Sequence, residues 1–339
     1  MPHATPVHTV IVGSHQRDQF VTSRWINIWQ RVETSCYRMH SVVIHNYSGS
    51  LSAIEFGDAK DEPGNFVVFV GGLGDGFLTV PYVSLLAEAI RKRYGPKWVL
   101  VQALISSSYL GFGTGSLNRD AKELAKLVKY LRRERGSQNS RVILMGHSTG
   151  SQDTMEYLTK LRTSEKFEPI LDIDAAIIQA PASDSEGLGD ASSDLNLKVL
   201  LSKAQDLIEE GRSGELMPAA ALKYTFGSPA TAYRFNSLLG QRGDDDYFSS
   251  YLEDSELKNT FGKVRRPLLV LYSEKDEFVP KSVDKIQLLR RWKEACDSKY
   301  WSQHSKVVKG ASHNVGPQSE EGATEELIQS VLDFIESEF

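Results

Sequence analysis

Three short segments of the chain carry residues that could perform nucleophilic catalysis. The first is Gly146-His147-Ser148-Thr149-Gly150, a Gly-x-Ser-x-Gly sequence that follows an apolar run and precedes a helical pattern. Small residues two places before and after the serine permit a sharp strand-to-helix turn, which leaves the serine strained and exposed. Negative charge that develops there is favoured by the helix N-terminus. The segment therefore predicts Ser148 as a nucleophile, and a simple tight turn is the alternative.

The other two segments could supply the acid and the base that a serine hydroxyl needs. Asp276 lies just beyond the apolar run at residues 267–272 and is the predicted acid, with Glu274 and Glu277 as neighbouring alternatives. His313 follows the last short apolar run, in a loop before the final helical pattern, and is the predicted base. The chain order Ser, Asp, His is that of the α/β-hydrolase fold.

Other histidines compete with His313 for the role of base. The chain has eight histidines, and His304 is the nearest competitor. It precedes the last predicted strand, whereas the base of this fold follows that strand. The side chain of His147 is expected to point away from the pocket, as it does in most such turns. The sequence therefore favours His313.

Two backbone N–H groups must stabilise the oxyanion that forms during acyl transfer. Thr149, directly after the nucleophile, is predicted to supply one. The second is predicted from Gly71-Gly72-Leu73-Gly74-Asp75-Gly76, with Leu73 as the first choice and Gly72 as the second. A phosphate-binding loop is the alternative for this segment. It lacks the GxGxxG spacing, however, and no Gly-Lys-Ser/Thr follows.

Apolar runs alternate with helical patterns along the chain, as in a mainly parallel sheet that is flanked by helices on both faces. Strands are predicted at residues 65–70, 98–105, 141–145, 174–179, 267–272 and 306–309. Helices are predicted at residues 80–93, 118–135, 151–162, 281–295 and 321–338. Residues 40–47 and 50–56 predict an antiparallel hairpin at the sheet edge, with a turn at Ser48 and Gly49. The predicted fold class is α/β, with the α/β-hydrolase fold.

The alternation of strand and helix patterns is interrupted between residues 181 and 266, which predicts a cap inserted into the hydrolase core. The core then comprises residues 1–180 and 267–339. Aromatic residues of the cap include Tyr224, Phe226, Tyr233, Phe235, Tyr247, Phe248 and Tyr251. They are interleaved with Asp244, Asp245 and Asp246. The aromatics could accept apolar acyl groups and the acidic run could attract amino groups; ordinary cap packing with a solvated loop is the alternative.

Composition and charge narrow the function classes. The 339 residues are 40% hydrophobic and 24% charged, enough for a full core. A net charge of −5 is atypical of nucleic-acid-binding proteins. The two cysteines, Cys36 and Cys296, predict neither a disulfide framework nor a metal site. No signal-peptide core or membrane-length apolar run is present, so the cytoplasm is the expected location.

Four segments together resemble a fungal α/β-hydrolase family that is labelled a domain of unknown function and includes siderophore esterases. They are the glycine-rich segment 71–76, residues 106–120, residues 146–153 and residues 179–184. The resemblance implies hydrolysis of ester bonds in hydroxamate siderophores of the fusarinine type inside the cell. It implies a small-molecule ester as partner, with iron arriving only as part of the substrate and no cofactor. Another secondary-metabolite ester or lactone, acyl transfer to an alcohol, and a noncatalytic binder are the alternatives.

Overall fold

The structure is a computed structural model that describes residues 8–12, 40–188 and 194–339. Within these ranges one sheet contains nine strands. They are β1 His8–Val12, β2 His40–Ser48, β3 Leu51–Phe56, β4 Asn65–Val70, β5 Trp98–Ala103, β6 Val142–His147, β7 Ala175–Gln179, β8 Leu268–Ser273 and β9 Lys306–Val308. Their order is β1-β2-β3-β5-β4-β6-β7-β8-β9.

The sheet combines an antiparallel edge with a parallel centre. Strands β1, β2 and β3 pair antiparallel with one another, and β3 pairs antiparallel with β5. From β5 to β9 every pairing is parallel. The predicted hairpin is confirmed: β2 and β3 meet at a turn where Gly49 has a φ of +60°. A glycine adopts that left-handed conformation at little cost because it has no Cβ.

Helices cover both faces of the sheet. They are α1 Tyr82–Tyr94, α2 Leu117–Tyr130, α3 Gly150–Glu156, α4 Asp184–Gly187, α5 Leu195–Glu209, α6 Ala232–Leu239, α7 Asp254–Thr260, α8 Lys285–Ala295 and α9 Ala323–Glu338. One apolar core joins the sheet to α2, α3 and α8, and another joins it to α1 and α9. The central strands β5 to β8 are buried along their whole length, which explains their continuous apolar runs.

Residues 181–266, which we call the insertion, connect β7 to β8 and contain α4 to α7. Its helices α5 and α6 form a third apolar cluster with Phe112, separate from the two clusters on the sheet. In contrast, the later part of the insertion joins the core beside α8, for example through Phe248 and Phe261. The predicted cap boundaries stay a prediction.

The insertion is attached to the loop Tyr109–Thr114, which follows β5. Ser228 Oγ donates to the Leu110 carbonyl at 2.8 Å, and the Thr231 N–H donates to the Gly113 carbonyl at 2.9 Å. The fully buried Arg234 donates from Nε to the Phe112 carbonyl at 3.1 Å. These bonds fix α6 over the carboxyl end of the sheet, where the candidate site lies.

The structure adds one strand to those predicted from the sequence and leaves some of the predicted features undescribed. Strand β1 was not predicted, because its five residues form only a short apolar run at the sheet edge. Cys36 and part of the Gly- and Ser-rich start of the insertion, residues 189–193, lie outside the described residues. No helix within residues 40–188 and 194–339 has the length and apolar character needed to cross a bilayer.

Candidate active site

Ser148 lies in a sharp turn between β6 and α3. Its φ of +54° is left-handed, and its N–H donates to the Gln179 carbonyl of the neighbouring strand at 3.0 Å. A Cβ on Gly146 would lie 2.0 Å from the Gly150 carbonyl oxygen. A Cβ on Gly150 would lie 2.5 Å from the Val70 carbonyl oxygen. Both glycines of the motif are therefore required by close backbone contacts, as in a strained nucleophile elbow.

The structure brings the predicted nucleophile, base and acid together. His313 Nε2 lies 2.8 Å from Ser148 Oγ. On the other side of the ring, Nδ1 lies 2.8 and 2.9 Å from the two carboxylate oxygens of Asp276. With Nδ1 protonated and bound to Asp276, Nε2 is left to accept the serine proton.

The electrostatics of His313 result from two opposing effects. Burial of the ring lowers its pKa, but the adjacent Asp276 carboxylate outweighs this, so that the pKa of His313 is raised. Only 6% of the histidine and 4% of the aspartate are exposed, so little water screens this attraction. The pair is suited to hold the imidazolium that forms when the base takes a proton.

The two alternative acids have structural positions instead. Glu277 accepts a hydrogen bond from the His313 N–H at 2.9 Å, and Glu274 accepts one from the Gly310 N–H at 2.7 Å. Both side chains thus hold the backbone of the loop that carries the histidine. The competitor His304 lies before β9 and not in the loop that follows it.

His147 makes a contact that the sequence did not predict. Its ring is buried with its centroid 5.0 Å from the His313 centroid, and Nδ1 lies 2.5 Å from Gln179 Oε1. Burial and the neighbouring His313 lower the pKa of His147 to about 4, so it is neutral at physiological pH. The expectation that the His147 side chain points away from the site is wrong in one respect, because its ring packs beside that of His313.

Gln179, at the end of β7, is a functional residue that sequence reasoning missed. Its Oε1 also accepts from the Tyr82 hydroxyl at 3.0 Å. Its Nε2 lies 3.2 Å from both Ser273 Oγ and the His313 carbonyl oxygen. The side chain therefore links the strand beside the nucleophile to the loop of the base. A polar residue that ends a buried apolar strand was the available signal.

The two backbone amides predicted to bind the oxyanion are free to do so. The Gly72 N–H is already bound, since it donates to Asp75 Oδ2 at 2.8 Å. Across the described ranges, neither the Leu73 nor the Thr149 N–H has a hydrogen-bond acceptor. Gly72 nevertheless lets the loop approach the nucleophile, because a Cβ there would lie 2.5 Å from Ser148 Cβ. This arrangement favours Leu73 and Thr149 as donors, and Leu73 over Gly72.

The acidic run of the insertion is bound internally. Asp245 is 3% exposed and pairs with Arg234 at 2.5 Å. Asp244 accepts from the Tyr233 hydroxyl at 2.6 Å, and Asp246 accepts from Ser249, Tyr251 and the Arg242 N–H. These contacts favour a structural function, so the interpretation that the run attracts amino groups of a substrate is wrong for Asp245.

Among the aromatics of the insertion, Phe226 stands apart. It is 53% exposed, whereas Tyr224, Phe235, Tyr247 and Phe248 are buried in apolar clusters. Its ring centroid lies 6.4 Å from that of Phe278, which in turn lies 4.7 Å from the His313 centroid. The two phenylalanines form an apolar wall beside the base. Across the described ranges, no group of three or more His, Cys, Asp or Glu side chains could hold a metal ion.

Residues 34–336 match the model of one protein family, which is described as a protein of unknown function, DUF1749. A UPF0613 protein of Schizosaccharomyces pombe is 36% identical over 317 residues, 88% of this chain and 98% of that relative. The fusarinine C esterase sidJ of Aspergillus fumigatus is 33% identical over 338 residues, 86% of this chain and 95% of that relative.

Solved structures give the same picture. The siderophore hydrolase EstB from Aspergillus fumigatus superposes with a TM-score of 0.75 at 31% identity, covering 91% of this chain and 99% of that chain. An α/β-hydrolase-fold protein of unknown function superposes with a TM-score of 0.62 at 19% identity, covering 91% of this chain and 98% of that chain. The predicted α/β-hydrolase fold is confirmed.

Proposed function

Because the chain belongs to the DUF1749 family, we propose that it is a serine esterase that cleaves ester bonds of hydroxamate siderophores of the fusarinine type. The fold and the esterases among its relatives support a carboxylic ester hydrolase. The finer assignment, with Ser148, His313 and Asp276 as catalytic residues, rests on the contacts of these side chains. The substrate class rests on relatives whose names are fusarinine C esterase and siderophore hydrolase.

The observation that carries the proposal is the position of His313 between a hydroxyl and a carboxylate. In the proposed mechanism Ser148 Oγ attacks the ester carbonyl while Nε2 of His313, 2.8 Å away, takes its proton. Asp276 keeps the ring oriented and stabilises its positive charge. The N–H groups of Leu73 and Thr149 bind the oxyanion.

The remaining steps, which complete acylation and then hydrolyse the acyl-enzyme, use the same groups. The tetrahedral intermediate collapses, the ester C–O bond breaks, and His313 returns its proton to the leaving alkoxide. A water molecule then gives a proton to His313 and attacks the acyl carbon, which releases the acid and restores Ser148. Every proton in this cycle passes through Nε2. No step of it requires a cofactor, and iron would enter only as part of the substrate.

The apolar wall of Phe226 and Phe278 supports a substrate with apolar acyl arms. Phe278 contacts the His313 ring and the half-exposed Phe226 contacts Phe278, so an acyl group that enters the site would bury both rings further. We further propose that the insertion is the cap, which contributes Phe226 to this wall, while Phe278 belongs to the hydrolase core. The cytoplasmic location expected from the sequence stays a prediction.

Hydrolysis of ferric fusarinine C and its triacetylated form, followed by mass spectrometry, tests the proposal. We expect the wild type to release ester-cleavage fragments and Ser148→Ala to lose at least ~10³-fold in kcat. Ser337→Ala is the matched control, because this exposed serine lies at the far end of α9 and should leave the rate unchanged.

Three outcomes separate the alternatives. Cleavage of a short-chain aryl ester without cleavage of either siderophore would keep the triad and overturn the substrate, leaving another ester or lactone. Cleavage that survives in Ser148→Ala would refute the nucleophile. An inactive wild type that binds a siderophore would make the chain a noncatalytic binder.

A further inference from the structure

A small polar cavity lies next to the proposed oxyanion donors. Leu73 and Thr149 line it on one side, and Ser107, Asp120, Asp153 and Arg234 line it on the others. Its volume of about 10 Å³, available to the centre of a water-sized group, accommodates one such group. The cavity therefore adjoins the two backbone amides that are proposed to bind the oxyanion.

Asp153, on α3, is the unusual residue of this cavity. Only 5% of it is exposed, and its Oδ1 has no hydrogen-bond partner within the described ranges. Its carboxyl also forms no ion pair with any described lysine, arginine or histidine. A buried polar atom without a partner is destabilising, so a group that binds there would recover stability.

The neighbouring cations are committed to other carboxyl groups. Arg234 bonds to Asp245 at 2.5 Å and to the Phe112 carbonyl, while Arg119 lies 3.4 Å from Asp120. The cluster thus contains one more carboxyl than guanidinium groups, and Asp153 is the one left over. Burial raises the pKa of Asp153 well above its usual range, and the charge of Asp120 adds to this. A cation in the cavity would offset both effects.

We propose that this cavity is a subsite for a primary ammonium group on the carbon next to the ester carbonyl. An ammonium group is as small as water and has three N–H donors, which match the carboxyl oxygens of Asp153 and Asp120 and the Ser107 hydroxyl. An N-acetylated amine is uncharged and too large for the space. The inference rests on the proposed function and narrows its substrates to esters of free α-amino acids.

Three ethyl esters of equal chain length test this subsite: those of norleucine, N-acetylnorleucine and hexanoic acid. The assay measures kcat/KM by mass spectrometry at pH 6.5, where an α-amine with a pKa of about 7.7 is protonated. We expect the wild type to favour the free amine over the acetylated ester by more than about tenfold, as expected for a hydrogen bond to a charged group.

Two variants locate the effect. In Asp153→Asn, which keeps the side-chain shape but not the charge, we expect the ratio of kcat/KM for the norleucine ester to that for the hexanoic acid ester to fall to about one, while the acetylated ester stays disfavoured by its size. Asp184→Asn is the matched control: this carboxyl is partly buried, accepts a hydrogen bond from Gln152 Nε2 at 2.8 Å and does not line the cavity. We expect it to keep the wild-type ratio.

A second measurement needs only the wild type. Methylammonium chloride should inhibit hydrolysis of the norleucine ester, whereas tetramethylammonium chloride at the same concentration should not, because it exceeds the cavity. Hydrolysis of all three esters with equal kcat/KM would overturn the subsite and leave the esterase assignment intact. No hydrolysis of any ester would overturn the esterase and the subsite together. Equal ratios in both aspartate variants would also refute the role of Asp153.

Discussion

Gln179 joins the strand beside the nucleophile to the loop of the base, and its replacement by methionine tests that link. The side chain is fully buried and bonds to Tyr82, His147, Ser273 and the His313 carbonyl. Methionine has a similar shape but makes none of these bonds. All four partners would then stay buried without a replacement.

The expected loss follows from the number of bonds. A buried hydrogen bond contributes about 1 kcal/mol net, so Gln179→Met should lower the free energy of unfolding by about 4 kcal/mol. If the glutamine only filled space, a volume-conserving change would cost less than about 1.5 kcal/mol. The two interpretations therefore differ by more than the error of a urea unfolding curve.

Urea unfolding of the wild type and the variant supplies the measurement, with kcat on an aryl ester as the second readout. We expect kcat to fall more than KM changes, because the loop of His313 loses a donor while the acyl wall is untouched. Gln102→Met is the matched control. Gln102 is also buried in the sheet but makes two bonds, to the Gly76 carbonyl and the Leu78 N–H, so it should cost about half as much. Equal costs for both variants, or an unchanged kcat in Gln179→Met, would refute the reasoning.

Two further changes test the elbow and the base. Gly146→Ala would place a Cβ 2.0 Å from the Gly150 carbonyl oxygen and should lower the free energy of unfolding by about 3 kcal/mol, measured by thermal unfolding. Gly214→Ala is the control, because open space surrounds Gly214 and the change should leave the stability nearly unaltered. Equal melting temperatures of the two variants would contradict the steric argument. His313 accepts a proton only when neutral, and its pKa is raised by Asp276, so kcat/KM should fall as the pH drops through that raised pKa. Asp276→Asn should lower kcat by ~10³–10⁴-fold and move this acidic limb to lower pH, and a limb that stays in place would show that another group sets it.

The order of elements and the side chains of the proposed triad could be predicted from the sequence because each had a local signal. Strands such as β4 are continuous apolar runs, and Ser148 stands in a short motif between a strand and a helix. Asp276 and His313 could be placed because each follows a strand whose carboxyl end meets the same sheet edge. The local sequence pattern was sufficient for features that depend on neighbouring residues in the chain.

Residues whose importance depends on distant partners could not be found in this way. Gln179 bonds to side chains or backbone from α1, β6, β8 and the loop after β9, none of which is near it in the chain. Asp153 lies in the first turn of α3, and only the structure shows that it is buried with an unpartnered carboxyl oxygen. The acidic run misled in the opposite way. Its charge suggested that it binds amino groups of a substrate, but Asp245 is paired with Arg234 inside the protein.

The attachment of α6 to the loop Tyr109–Thr114 has a consequence for how the site opens. That loop also holds the oxyanion segment, because the Tyr109 N–H donates to the Asp75 carbonyl at 2.8 Å and its hydroxyl accepts from the Phe77 N–H at 3.1 Å. Asp75 in turn holds the Gly72 N–H. A displacement of the insertion would therefore be transmitted, bond by bond, to the amide of Leu73. With the Leu73 amide in its proposed role, a loosened attachment of the insertion should weaken transition-state stabilisation and slow the chemical step.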